Sequence, residues 1–165
     1  MKKELLMAKL RKGSLVIAVI CAIAVICDLY GAGWAAFICL SEGSGMHSGT
    51  QFQAVEICTA FLIIAGTVLA AGLMFFRIAK NGIPFTKQNV RTLRIIGILF
   101  LLRSILPRLT GMLISGYDAF RISYPNLSAF DITDAYPIIE GLLFLFIAYF
   151  VRYGAMLQQE SDETL

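Results

Sequence analysis

Four long apolar runs, separated by shorter polar stretches, dominate the sequence. They cover about residues 14–40, 54–76, 95–115 and 138–153. A helix needs ~20 apolar residues to cross a bilayer. The first run is too long for the ~7–15 apolar residues of a secretory signal peptide, so a retained helix starting near Ser14 is expected. The pattern predicts one all-α membrane domain over residues 1–165, a polytopic four-transmembrane-helix bundle.

The polar stretch between the second and third runs, residues 77–94, carries only positive charge. Its basic residues are Arg77, Lys80, Lys87, Arg91 and Arg94. With five more in residues 1–13 and Arg152 near the end of the fourth run, they make up eleven of the fourteen Lys and Arg residues. Positive charge stays on the cytoplasmic side of membrane proteins. Both termini, the basic loop and the tail 154–165 are therefore expected in the cytoplasm, and loops 41–53 and 116–136 outside, in a bacterial plasma membrane.

Turn-forming residues punctuate the basic loop. Asn81 and Gly82 tolerate the left-handed conformation at a helix end, and Pro84 cannot continue that helix. Thr86 is a suitable N-cap because its hydroxyl accepts from a free backbone N–H. The loop is therefore predicted to be a short ordered elbow between two helices.

Small residues and prolines mark further positions within the apolar runs. Gly66, Ala70 and Gly72 form a small-residue stripe that permits close helix packing in lipid. Pro107 is expected to kink the third helix, because it removes a backbone hydrogen bond. Pro137 is expected at the start of the fourth helix.

Composition agrees with the membrane assignment. The chain is 58% hydrophobic and 15% charged, with a mean hydropathy of +0.77, whereas soluble domains are about 45–50% apolar and about 25% charged. The basic residues cluster at membrane edges without a nucleic-acid motif, so no direct nucleic-acid contact is expected.

No pattern of catalytic or metal-binding residues stands out. The sequence lacks HExxH, CxxC, a phosphate-binding glycine loop and a Ser/His or Cys/His pair. His47 lies alone in a Gly/Ser-rich loop. The four cysteines lie in or beside apolar runs, where cysteine usually acts as a small hydrophobe; a disulfide between Cys39 and Cys58 is the alternative. We expect a protein that is not an enzyme and needs no cofactor or metal.

Five ionisable residues fall inside the predicted spans. They are Asp28, Glu56, Arg103, Arg108 and Glu140. Each costs about 2.5–3.5 kcal/mol to place in a membrane, so such residues tend to face other helices and pair. They are expected to form either a polar pocket open to the outside, which binds a ligand or ion, or a set of interhelical ion pairs that fixes the packing.

Two stretches resemble DUF2975, a family of small bacterial four-helix membrane proteins of unknown function. They are residues 81–97, with Pro-Phe-Thr-Lys at 84–87, and residues 153–165, with Leu-Gln-Gln-Glu-Ser-Asp-Glu-Thr-Leu at 157–165. The chain departs from the family pattern at Gln88, where an acid is expected, and at Met156, where a polar residue is expected. The resemblance implies that the protein is paired with a small helix-turn-helix regulator of the Cro/repressor type.

The resemblance and the charge layout together suggest a regulatory or sensory protein that binds such a regulator. The expected partner-binding residues are Lys87, Arg91, Arg94, Gln158, Gln159, Glu160, Asp162 and Glu163. An acidic tail resembles nucleic acid in charge and suits a repressor's basic surface; the alternative is that the tail and the loop dock on each other. The alternative function is a small transporter or channel that uses the five intramembrane charges. The sequence leaves homo-oligomerisation open.

Overall fold

The computed structural model describes residues 2–41, 48–123 and 132–163 of the chain. These residues form five helices: α1 (Lys2–Ser41), α2 (Ser48–Asn81), α3 (Lys87–Ser115), α4 (Tyr117–Ser123) and α5 (Ile132–Glu163). Four of the helices, α1, α2, α3 and α5, are long and apolar enough to cross a membrane. The prediction of an all-α, multi-pass membrane protein is therefore confirmed in its helical content and in the number of candidate spans.

The helices extend beyond the apolar runs that predicted them. α1 includes the basic N-terminal segment and begins at Lys2, not near Ser14. α2 begins at Ser48, within the stretch expected to be a loop. α5 begins at Ile132, so Pro137 lies inside the helix and not at its start as predicted. Proline favours the first helical position, but this helix has already formed its first turn before Pro137. The missing N–H removes one backbone hydrogen bond there.

The long helices pack in chain order. Within the described residues, α1 contacts α2, α2 contacts α3, and α3 contacts α5, while α1 contacts neither α3 nor α5. Each pair runs antiparallel, so the N-terminal part of α1, the α2–α3 turn and the C-terminal part of α5 lie at one end. We call this the elbow end, and the opposite end the α4 end. The four helices thus form an open row in which α2 and α3 are the inner members.

α3 and α5 cross at a pair of glycines. A β-carbon at Gly97 would lie 2.9 Å from the carbonyl oxygen of Gly141, and one at Gly141 would lie 2.8 Å from the carbonyl oxygen of Gly97. Such distances leave no room for a side chain, and small residues of this kind allow helix backbones to approach closely in lipid. One turn further along each helix, Phe100 and Phe144 stack with ring centroids 5.3 Å apart. This crossing fixes how α5 lies on α3.

The small-residue stripe of α2 has a narrower role than predicted. A β-carbon at Gly72 would lie 3.0 Å from the β-carbon of Cys21 in α1, so Gly72 marks a close contact. A β-carbon at Gly66 would lie in open space, with no heavy atom of a packing neighbour within 4 Å. Gly66 therefore belongs to the apolar pattern of α2 without making the helix approach that its spacing suggested.

α4 lies across α2 and α3 at the α4 end. Phe52 of α2 is fully buried; its ring would collide with a β-carbon at Gly111 of α3, at 2.8 Å. The same ring meets Phe120 of α4 edge to face, with centroids 5.8 Å apart. The hydroxyl of Ser123 donates to the carbonyl oxygen of Gly49 at 3.4 Å. These contacts join three helices at this end.

We expect Gly141→Ala to destabilise the protein by about 1–3 kcal/mol, because the added methyl group overpacks a contact between two backbones. Gly97→Ala should have a similar effect. The measurement is the fraction of purified protein that stays monodisperse on size-exclusion chromatography after heating in detergent.

Gly66→Ala is the matched control, since it adds the same methyl group to open space in a neighbouring helix. It should change stability by less than about 0.5 kcal/mol, as surface substitutions usually do. Equal losses in Gly66→Ala and Gly141→Ala would show that the α3–α5 crossing is not tightly packed.

Candidate functional site

The elbow between α2 and α3 is built from the turn residues that the sequence marked. α2 ends at Asn81, and Gly82 follows in the left-handed region with φ +72°. The N–H of Gly82 donates to the carbonyl oxygen of Ile78 at 2.7 Å, which closes the helix end. Thr86 caps α3, because its hydroxyl accepts from the N–H of Asn89 at 3.2 Å. The predicted ordered elbow is confirmed.

Asn89 holds the turn closed from the inside. Its side chain is almost fully buried, with 2% of the residue exposed. The Nδ2 group donates to the carbonyl oxygen of Pro84 at 2.9 Å. One residue thus supplies both a backbone donor to the Thr86 cap and a side-chain donor to the turn, so the path of the chain from α2 to α3 is fixed.

The basic residues of the predicted loop separate into different environments. The Nη1 group of Arg77 donates to the hydroxyl of Thr92 at 3.1 Å, which links α2 to α3. Lys80 is exposed at the end of α2. Arg11, from the N-terminal part of α1, lies against the turn, since a β-carbon at Gly82 would be 3.0 Å from its Nε atom. Arg77 and Arg11 therefore support the elbow.

The remaining loop cations line a cleft between the start of α3 and the last turns of α5. Its cavity volume is about 650 Å³. The lining residues, which we call the basic cleft, are Lys87, Val90, Arg91, Arg94, Arg152, Ala155, Met156 and Gln159. None of these is acidic, so four cations from two helices surround one opening with three apolar side chains at its floor.

Four of the predicted partner-binding residues therefore come together: Lys87, Arg91, Arg94 and Gln159. Glu160 is exposed and lies within α5, directly after Gln159. The backbones of Gln158, Asp162 and Glu163 belong to α5, while their side chains lie outside the described part of the structure. α5 continues as a helix as far as Glu163.

Arg152 is the cleft residue that sequence reasoning did not assign to a site. The sequence identified it only as a topology signal at the end of the fourth run. Antiparallel packing of α3 and α5 places the end of one helix beside the start of the other, which brings Arg152 to Arg91 and Arg94 around the same cavity. The sequence did contain a signal for this position: Arg152 is a cation that the predicted topology places on the same side of the membrane as the elbow.

Two of the five intramembrane charges meet directly. The Nε atom of Arg108 lies 3.8 Å from Oε1 of Glu56, and their side chains are 29% and 20% exposed. The hydroxyl oxygens of Thr110 and Thr59 lie 3.0 Å apart across the same two helices. The pair is therefore part of a polar seam between α2 and α3, as the ion-pair interpretation predicted.

Asp28 and Glu140 do not join this pair in one pocket. Asp28 lies on α1 and Glu140 on α5, the two outer helices, which make no contact with each other in the described residues. Arg103 is half-buried on α3. It lies three turns from Thr92 and two from Thr110 on the face turned to α2, because a helix repeats every ~3.6 residues. The arrangement supports interhelical packing more than a single five-residue site.

The remaining candidate residues show no reactive arrangement. Cys21, Cys27, Cys39 and Cys58 are all free, so the structure contains no bond between Cys39 and Cys58. His47 lies outside the described residues. Among the side chains that are described, no three His, Cys, Asp or Glu residues come close enough to hold a metal ion.

No protein-family model, curated protein or solved structure matches this chain. The resemblance to small bacterial membrane proteins at residues 81–97 and 153–165 therefore stays a prediction.

The Glu56–Arg108 pair is expected to be structural. Arg108→Met should lower the yield and stability of folded protein more than Arg108→Met combined with Glu56→Gln, because the single change leaves a carboxylate in the membrane without this partner. The double-mutant cycle should give a coupling energy of about 0.5–3 kcal/mol, measured by thermal denaturation in detergent.

Glu140→Gln provides the comparison, since it neutralises an acid on α5 that is remote from the pair. It should show no coupling to Arg108→Met beyond about 0.5 kcal/mol. If the losses of Arg108→Met and Glu56→Gln, each measured alone, added up to the loss of the double variant, the ion pair would not be holding α2 and α3 together.

Proposed function

We propose that the chain is a regulatory protein of the bacterial plasma membrane that holds a small helix-turn-helix transcription regulator at its cytoplasmic face. The elbow cations and the acidic end of α5 form the docking surface. The observation that carries this proposal is that the basic cleft and the end of α5 belong to one fixed surface at the elbow end.

The continuity of α5 supports docking of an external partner. α5 extends past its apolar run, residues 138–153, to Glu163 without a break. A disordered tail would lose conformational freedom on binding, whereas a helical end presents its charges with part of that entropy already lost. A tail in this form projects along the helix axis, and folding back onto the elbow would require the helix to break.

Charge complementarity suits a DNA-binding protein as the partner. Glu160, Asp162 and Glu163 place negative charge at the helix end, where a basic DNA-binding surface is attracted. Acidic positions elsewhere on the regulator would face Lys87, Arg91 and Arg94. A regulator held in this way cannot use the same basic surface for DNA, so release from the membrane protein would restore DNA binding.

The positive charge of the elbow end supports a cytoplasmic location. The basic segment of α1, the elbow and Arg152 are all at this end, while Arg121 of α4 is at the other. Because basic residues are retained on the cytoplasmic side, this distribution favours an orientation with both termini inside.

A transporter that uses all five intramembrane charges has less support. Such a relay needs its ionisable groups along one path, and Asp28 and Glu140 lie on helices that do not touch within the described residues. Arg108 also pairs with Glu56, so these two charges already contact each other between α2 and α3.

The orientation is tested with reporter fusions at both termini. Green fluorescent protein should fluoresce at either end, and alkaline phosphatase should be inactive there but active when inserted after residue 123. Active phosphatase at the C-terminus would reverse the orientation and remove the cytoplasmic docking surface.

The docking surface is tested by affinity purification of the tagged full-length protein in mild detergent, with bound proteins identified by mass spectrometry. A helix-turn-helix regulator should be recovered with the wild type and reduced at least tenfold by deletion of residues 158–165 or by Glu160→Lys. The charge reversal converts attraction to repulsion at the contact.

Asp118→Lys is the matched control, because it reverses an exposed acid on α4 at the opposite end. It should leave recovery of the regulator unchanged. Recovery that does not depend on the tail or on Glu160 would contradict the proposed docking surface.

A further inference from the structure

The basic cleft has the properties of a binding site for phosphate groups, apart from any protein partner. Its four cations come from two helices whose relative position is fixed by the crossing at Gly97 and Gly141. Guanidinium groups, of which three line this cleft, match the geometry of phosphate oxygens in bidentate hydrogen bonds. A cavity of about 650 Å³ surrounded by positive charge is large enough for an anionic group to enter.

The start of α3 adds to the positive potential of the cleft. Lys87 is the first residue of α3, and the N-terminal end of a helix carries a partial positive charge with N–H groups that favour anions. Lys87, Arg91 and Arg94 lie within about the first two turns of α3. Their side chains and the backbone N–H groups of the helix end therefore both contribute to the positive potential at the cleft. The lining contains no acid to offset them.

The floor of the cleft is apolar, which distinguishes it from a site for a free anion. Val90 is almost fully buried at the floor, Ala155 is half-buried, and Met156 is 52% exposed. Contacts with these apolar side chains would not stabilise a bound phosphate ion or nucleotide phosphate. A phospholipid headgroup has phosphate for the cations and a glycerol and acyl region for the apolar side chains.

The position of the cleft along the helices also fits a lipid. It lies where the apolar run of α3 begins, near residue 95, and where that of α5 ends, near residue 153. Lipid headgroups occupy this level of a membrane, and basic pockets between transmembrane helices on this side bind anionic headgroups. Tyr149 and Tyr153 are exposed on α5 near the same level, as is usual at a membrane–water interface.

We propose that the basic cleft binds the phosphate-bearing headgroup of an anionic phospholipid, with its acyl chains along the exposed apolar faces of α3 and α5. Exposed apolar side chains continue from the cleft along both helices, including Ile95, Ile98 and Tyr149. This site needs no protein partner, and so it stands whether or not the regulator docks at the elbow end.

The experiment is a lipid titration of the purified full-length protein by native mass spectrometry, with no regulator present. The probes are cardiolipin and phosphatidylglycerol as anionic lipids and phosphatidylcholine as the neutral reference. Both anionic lipids should bind at least tenfold more tightly than phosphatidylcholine. Arg91→Gln with Arg94→Gln should reduce anionic-lipid affinity about 25-fold, since each basic side chain near anionic lipid contributes roughly fivefold.

The matched control is Lys9→Gln with Lys80→Gln. It removes the same charge from exposed positions at the elbow end that do not line the cleft, and should change affinity by less than about threefold. Arg91→Lys with Arg94→Lys keeps the charge and should retain part of the affinity. A monodisperse size-exclusion profile for each variant excludes a loss caused by unfolding.

Two outcomes would overturn the proposal. Equal losses of anionic-lipid affinity in the cleft variant and its control would show that binding depends on the overall charge of the protein and not on this site. Displacement of the lipid by inorganic phosphate at the same concentration as a competing anionic lipid would identify a free-phosphate site instead. Because the regulator is absent from the titration, neither result bears on its docking.

Discussion

The hydrogen bonds of Asn89 close the turn between α2 and α3, and the placement of the other helices depends on that turn. α2 and α3 are the inner members of an open row, and each outer helix contacts only one of them. The Thr86 cap, the Pro84 carbonyl and the Arg77–Thr92 bond fix these two helices at the elbow end. Phe52, Glu56 and Arg108 join them toward the α4 end. An error in the turn would therefore misplace both outer helices.

Glycine determines how the outer helix α5 attaches, because the hydrophobic effect gives apolar helices little reason to associate within lipid. The backbone contact between Gly97 and Gly141 brings α3 and α5 close enough for Phe100 and Phe144 to stack. The same approach determines the width of the basic cleft two turns away. Packing inside the membrane thus sets the geometry of a charged site at its edge.

Sequence reasoning succeeded where the signal was local. The Asn-Gly, Pro and Thr positions of the elbow act on their own backbone, and each was confirmed in the role expected. The apolar runs placed Glu56 and Arg108 within predicted spans, but they did not indicate which helix each residue would contact. Asp28 and Glu140 were expected in the same set of charges, and their separation follows from an open row that no single-helix pattern encodes. Gly97 lies in an apolar run where nothing marks it as a contact, whereas Gly66 has better spacing and makes none.

The length of α1 has a mechanical consequence. Its 40 residues form one continuous helix, about 60 Å long, whereas the hydrocarbon core of a bilayer is ~30 Å thick. A helix longer than the bilayer adjusts to membrane thickness by tilting. Within the described residues α1 contacts no helix other than α2, and its Arg11 lies against Gly82, so a change of tilt would move the N-terminal end of α1 relative to the elbow. Bilayer thickness is thereby coupled to the turn that positions the basic cleft.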